Sequence, residues 1–264
     1  NTTGYTIERL PIDIRAVYVR GHDVYFADVK GSLYKSQDAT DSSEPKLIGE
    51  SKISPRMIFV SARGTIFISG DKAPLLRSVN GGQSWETSHD WSFWRMTEDE
   101  EKHLLYAGNY SPKKHPIYRA TIFKSDDEGK TWKTIFDDEK LDHVHSLRWD
   151  IQYRNLYIAA GDGRDRGQAI SPDEGTTWHW INRGGKQGHT DLAISDRFVF
   201  WGSDDNLGRI LRAPRSPVQD GEAMIWQPYH NVWWVVAEKR QIYAGTLTGQ
   251  GRGEYTGAFL LASA

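Results

Sequence analysis

Short apolar runs that end on a small residue recur along the chain: VYFAD (24–28), IFISG (66–70), LLYAG (104–108), YIAAG (157–161), VFWG (199–202) and QIYAG (241–245). Their ends fall at 28, 70, 108, 161, 202 and 245, at intervals of 38 to 53 residues. A brief apolar run bounded by turn formers reads as a short strand. Each run has companions of the same length. In one unit, HSLRWD, NLYIAAG, GQAISPD and TWHWIN follow one another, separated by turns rich in Gly, Asp and Asn. No stretch of ten or more residues carries the 3.6-residue apolar period of a helix.

A second series repeats with nearly the same period. SVNGGQSWET (78–87), SDDEGKTWKT (125–134) and SPDEGTTWHW (171–180) place their leading serines 47 and 46 residues apart. A worn copy, KSQDATDS, sets Ser36 and Asp38 a further 42 residues upstream of Ser78. Two independent series with one period define a repeat, and four-strand units of this length repeated radially make a β-propeller. The expected fold is therefore all-β. It is a single domain over 1–264, a six-bladed propeller of four-stranded blades at 14–51, 54–90, 92–138, 143–182, 189–230 and 231–264. The sixth unit stops at its third strand, GAFLLASA, and the N-terminal YTIERLPI (5–12) would supply the missing outer strand and remove an open edge. An incomplete seven-bladed propeller is the alternative.

Composition narrows the function classes. Of 264 residues 38% are hydrophobic and 12% aromatic, among them 11 Trp, so the chain can bury a sizeable core. A net charge of −2 gives no global field for nucleic acid, and no apolar run is long enough to span a membrane. Cysteine is absent, which excludes disulfides, thiolate metal sites and a Cys nucleophile. The triplets NTT (1–3) and NYS (109–111) fit the glycosylation sequon, a pattern short enough to arise by chance; the expected setting is extracellular or cell-surface.

The three boxes resemble Asp-boxes, the BNR repeats of sialidases, sortilin-type receptors, photosystem assembly factors and polysaccharide-degrading propellers. The match is carried by Ser125, Asp127, Gly129 and Trp132, by Ser171, Asp173, Gly175 and Trp178, and by Ser78, Gly82 and Trp85, where Asn80 replaces the Asp. The chemistry of these residues is that of a turn. A short carboxylate accepts backbone N–H groups, Gly supplies the positive φ, and Trp covers the turn. The resemblance implies that the boxes join third and fourth strands on the face opposite any active site. The other face then collects the second-to-third-strand loops and the connections between blades.

That face holds the candidate chemistry. Six of the nine histidines, at 89, 115, 143, 145, 189 and 230, fall there, and its longest loop carries Tyr110, Lys113, Lys114, Tyr118 and Arg119. His143 and His145 are two apart, so on a strand both point to one side, fit for general acid–base work or for one edge of a zinc site. Such a site needs a third ligand such as His189 or Asp191. No cofactor is otherwise called for, although a bound divalent cation is compatible. GDGRDRG (161–167) lacks the spacing of an EF-hand, and Asp162 is its member expected to point inward. Aligning the units places Arg15, Arg56, Arg95, His145, Asp191 and Trp233 at equivalent starts of the first strands, where the arginines suit a carboxylate or sulfate.

Two classes of function remain open. The first is an enzyme on an acidic polysaccharide. A β-eliminating lyase would draw on His143, His145, His189 and Tyr110 for proton transfer. Arg15, Arg56, Arg95, Arg119, Asp162, Asp191 and Trp233 would then hold the substrate. A sialidase-like hydrolase would use Arg9 of ERLP, which is similar to the arginine motif at the start of sialidases. The second class is a non-catalytic module that binds a glycan or a protein, with Trp91, Trp201, Trp233 and Tyr229 exposed as stacking surfaces.

Overall fold

The computed structural model describes residues 13–37, 45–110, 119–162, 165–184, 189–204, 208–215, 223–227, 231–238, 241–247 and 258–263. All regular structure among them is strand. Blade 1 is β1 (Ile14–Arg20), β2 (Asp23–Asp28), β3 (Ser32–Ser36) and β4 (Lys46–Glu50). Blade 2 is β5 (Pro55–Val60), β6 (Ile66–Gly70), β7 (Leu75–Ser78) and β8 (Glu86–His89). Blade 3 comprises β9 (Phe93–Asp99), β10 (Leu104–Asn109), β11 (Ala120–Ser125) and β12 (Lys133–Asp138). Blade 4 comprises β13 (Val144–Asp150), β14 (Asn155–Ala160), β15 (Gly167–Ser171) and β16 (His179–Arg183). Blade 5 runs through β17 (His189–Ile194), β18 (Phe198–Ser203), β19 (Ile210–Pro214) and β20 (Ala223–Trp226). Blade 6 has three described strands, β21 (Asn231–Glu238), β22 (Gln241–Leu247) and β23 (Ala258–Ser263). The segment expected to complete it, 5–12, lies outside the described residues, as do Arg9 and Asp38.

Each sheet is an antiparallel meander in chain order. The contacts fall into two compact units, Asn1–Asp90 with blades 1 and 2 and Trp91–Ala264 with blades 3 to 6. Within the first, β1 packs beside β5; within the second, β9, β13, β17 and β21 lie side by side in sequence. Within each unit, neighbouring blades thus meet along their first strands. No helix among the described residues is long and apolar enough to cross a membrane.

The second strands are the apolar runs of the sequence, and burial explains their composition. Every residue of β6, β10 and β14 is buried, and for β14 blades 3 and 5 of the same unit pack on its two faces. Their small terminal residue has a steric cause. A Cβ on Gly108 would sit 2.7 Å from Val144, and one on Gly202 would sit 2.6 Å from Val232, each on the next blade's first strand. Outer strands such as β4 and β16 hold no buried residue.

Two β-bulges recur, and the sequence pattern did not announce them. In every first strand one residue near the start is skipped by the pairing: Arg15, Arg56, Trp94, His145, Thr190 and Trp233. In every described fourth strand another is skipped: Ile48, Ser88, Ile135, Ile181 and Ile225. Such bulges raise local twist and aim a side chain out of the ladder.

The box turns connect third to fourth strands in blades 2, 3 and 4. In each, the serine hydroxyl donates to the Asp or Asn at 2.9 Å and accepts the glycine N–H at 2.7–2.9 Å. Asp127 also accepts the N–H and hydroxyl of Thr131 at 2.9 and 2.7 Å, and Asp173 those of Thr177 at 2.7 and 2.6 Å. The turn needs two consecutive left-handed residues, Gly81–Gly82, Glu128–Gly129 and Glu174–Gly175, with φ between 59° and 92°. Trp178 Nε1 donates to the carbonyl of Ile135, the bulged residue of the preceding blade, at 3.1 Å. Desolvation pushes the Asp127 and Asp173 carboxyls up. The hydrogen bonds from Thr131, Thr177 and the box serines outweigh it, so both lie below the ordinary value of 3.8. A carboxyl with a lowered folded pKa stabilises the fold above its unfolded value, and that stabilisation is lost as pH falls through the folded one. An Asp127→Asn/Asp173→Asn variant is therefore expected to show a flatter fall of urea midpoint below about pH 4 than the parent. Parallel curves would refute the assignment.

Candidate functional site

His143 precedes β13, and His145 occupies its bulge. Being skipped by the ladder, His145 turns toward His143. The rings lie near parallel, 15° apart with centroids at 4.4 Å, and their Nε2 atoms meet. His145 Nδ1 lies 2.9 Å from the carbonyl oxygen of His189. A carbonyl only accepts, so Nδ1 carries the proton there, and in the neutral ring Nε2 presents its lone pair. Both histidines are buried, at 3% and 7% exposure.

Asp162 completes the group. Its Oδ1 is 3.2 Å from His145 Nε2 and its Oδ2 3.9 Å from His143 Nε2. Two hydrogen bonds fix the loop that carries it: Gly161 N–H to the His143 carbonyl at 2.8 Å, and Asp162 N–H to Asp142 Oδ1 at 2.6 Å. Gly161 has φ +82°, and a Cβ there would meet Leu141 Cδ2 at 2.7 Å, so only glycine serves. Asp142 also faces His143 Nδ1, at 3.7 Å. From blade 5, Asp204 approaches. Desolvation raises its carboxyl above the ordinary value and the Asp162 charge adds to that, against the opposing pull of His145.

Aromatic surface borders the group. Tyr110, at the end of β10, stacks on Trp94 with centroids 3.3 Å apart and tilts over the His143 ring at 4.3 Å. Trp94 is the bulged residue of β9, half-buried like Tyr110. The structure thus brings together His143, His145, Tyr110, Asp162 and the His189 backbone.

Other sequence-derived residues are engaged elsewhere. The His189 ring turns edge-on to Trp201 at 6.5 Å, and its carbonyl accepts from His145 Nδ1. Asp191 Oδ1 faces Arg148 Nη2 at 3.3 Å and Arg95 Nε at 3.8 Å, and its Oδ2 accepts Val235 N–H at 3.3 Å. The third partner of the histidine pair is Asp162, in place of the expected His189 or Asp191. Arg119 is paired with Asp137 of the outer strand β12 at 2.5 Å. In the first unit Arg15 is exposed, and Arg56 is paired with Asp71 at 2.6 Å. Trp233 is the half-buried bulge residue of β21. Trp201, expected to be exposed, is fully buried at 0%, because it lies on a second strand. Lys113, Lys114, His115, Tyr118, Tyr229 and His230 lie outside the described residues. Asp142, Asp204, Trp94 and Arg148 were missed; the position of Trp94, one residue before Arg95, was the available signal.

The chain matches no protein-family model, and no curated protein matches it. Solved structures do resemble it. A GH74 enzyme from Niastella koreensis matches with TM-score 0.69 and 12% identity, over 94% of this chain and 45% of that one. The GH74 xyloglucanase from Xanthomonas campestris gives 0.67 and 14%, over 95% and 43%. YCF48 bound to D1 peptide gives 0.63 and 13%, over 92% and 80%. The chain spans between 38% and 45% of the length of the GH74 structures it matches. Two different kinds of protein thus share this arrangement of blades, and what they have in common is the fold: the chain is a β-propeller.

Proposed function

We propose that this chain is a carbohydrate-active propeller of the Asp-box kind, which binds a polysaccharide where Trp94, Tyr110, His143, His145 and Asp162 converge. The observation that carries this reading is the composition of that cluster. A sugar ring offers an apolar C–H face and a rim of hydroxyls. Trp94 and Tyr110 supply the complementary aromatic surface, and the imidazoles and the partly exposed carboxylate supply hydrogen-bonding partners. The likeness to GH74 enzymes supports the carbohydrate part. The arginines expected to clamp an acidic sugar are, for Arg56, Arg95 and Arg119, already beside aspartates. The proposal is accordingly for recognition through hydroxyls, in an extracellular setting. A second reading, peptide binding, is favoured by the likeness to YCF48 bound to D1 peptide.

Glycan-array binding tests the first reading, with cleavage followed in parallel by unsaturated-uronate absorbance and a fluorogenic sialoside. Polysaccharide is expected to be retained, and Tyr110→Ala to weaken retention up to about tenfold through lost stacking. Retention of peptides alone, or undiminished glycan binding in Tyr110→Ala, would refute it.

A further inference from the structure

We infer that His143, His145 and Asp162 form a binding site for a first-row transition-metal dication of the Zn2+ class. This goes beyond the carbohydrate reading and stands on coordination geometry alone. One ligand atom from each residue lies within 4.8 Å of the other two, two imidazole Nε2 and one carboxylate oxygen. Zinc is held by such N and O donors at about 2.0–2.2 Å, and tetrahedral placement sets two such nitrogens roughly 3.3 Å apart. The meeting Nε2 atoms reach that spacing by a small opening of the rings.

The outer contacts are those that a metal-ligating histidine requires. His145 gives its other ring nitrogen to the His189 carbonyl at 2.9 Å, which fixes the tautomer and leaves Nε2 for the ion. His143 Nδ1 faces the Asp142 carboxylate, and Asp142 in turn holds the Asp162 backbone at 2.6 Å. The third ligand is therefore positioned by the same group that orients the first. Two imidazoles disfavour Ca2+ and Mg2+, which take oxygen donors. Asp162, 38% exposed, marks the open side, where a fourth position is available to water or a substrate oxygen.

The test is titration with Zn2+ alone by calorimetry, and with Co2+ followed by its visible absorption, on the full chain without glycan. One equivalent is expected to bind. Asp162→Asn, which keeps the size of the side chain, is expected to weaken binding at least about tenfold, and His145→Ala at least about 100-fold. The exposed His179→Ala should leave it unchanged. Absence of binding in the parent overturns the proposal. So does unchanged affinity in Asp162→Asn with circular dichroism intact, or an equal loss in His179→Ala. A parent that binds Zn2+ but no glycan would uphold the site and refute only the carbohydrate reading.

Discussion

Replacing Asp150 by alanine is expected to destabilise the fold by about 3–5 kcal/mol, which lowers the melting temperature of a chain of this size by roughly 10 °C. Asp150 ends β13 with its side chain at 0% exposure, and the Arg215 side chain opposite is at 9%. The guanidinium grips both carboxylate oxygens, Nε to Oδ2 at 2.8 Å and Nη2 to Oδ1, and Nη1 donates to the Ser195 carbonyl at 3.1 Å. Asp150 also accepts Gln152 N–H at 2.9 Å, so it closes its own hairpin while joining blade 4 to blade 5. The hydrogen bond to Asp150 raises the Arg215 pKa, so the guanidinium stays charged and would be left without its counterion. Removing both charges is a different matter. An Asp150→Ala/Arg215→Met chain should regain most of the loss, because two desolvated ions disappear together. Urea unfolding of the two variants decides the point. A double variant as unstable as the single one would show that packing, and not the ion pair, carries the effect.

Trp201→Ala is expected to cost a similar amount, about 3–5 kcal/mol, and to leave glycan binding per folded molecule unchanged. Trp201 is fully buried against Tyr157, Leu192, Val199 and Leu211, sealing blade 4 to blade 5. Trp94→Ala should behave the other way round, with a small stability change and weakened glycan retention. The pair of measurements separates an aromatic of the core from one of the binding surface. If Trp201→Ala unfolds at the parent's urea midpoint, the packing account fails.

Trp201 also shows what a sequence conveys and what it withholds. Blade boundaries were legible because second strands are buried and must be continuously apolar; VFWG carries that mark, and its tryptophan belongs with the run. The box turns were legible because their chemistry is local, with donors and acceptors within four residues of one another. Bulges were not legible as such, although positions singled out for another reason fell on several of them. Equivalence counted along the chain found Arg15, Arg56, His145 and Trp233, but landed one residue late at Arg95 and Asp191, where the bulges are Trp94 and Thr190. A bulge adds a residue without changing the apolar pattern, so nothing in composition marks it. Asp142 and Asp204 stayed hidden for another reason. One acts through a backbone amide twenty positions on, and the other arrives from the next blade.

The fourth-strand bulges at Ile48 and Ile135 have a consequence for how neighbouring blades are fastened. Ile48 bulges where the box of blade 2 arrives, its carbonyl 3.5 Å from where a Cβ on Gly82 would be; Ile135 packs its side chain against Gly175 of blade 4 and its carbonyl accepts Trp178 Nε1–H. In both joints the fastening is made from the fourth strand of one repeat and the glycine or tryptophan of the box in the next. At these two joints the fourth-strand bulge thus belongs as much to the next blade's turn as to its own sheet.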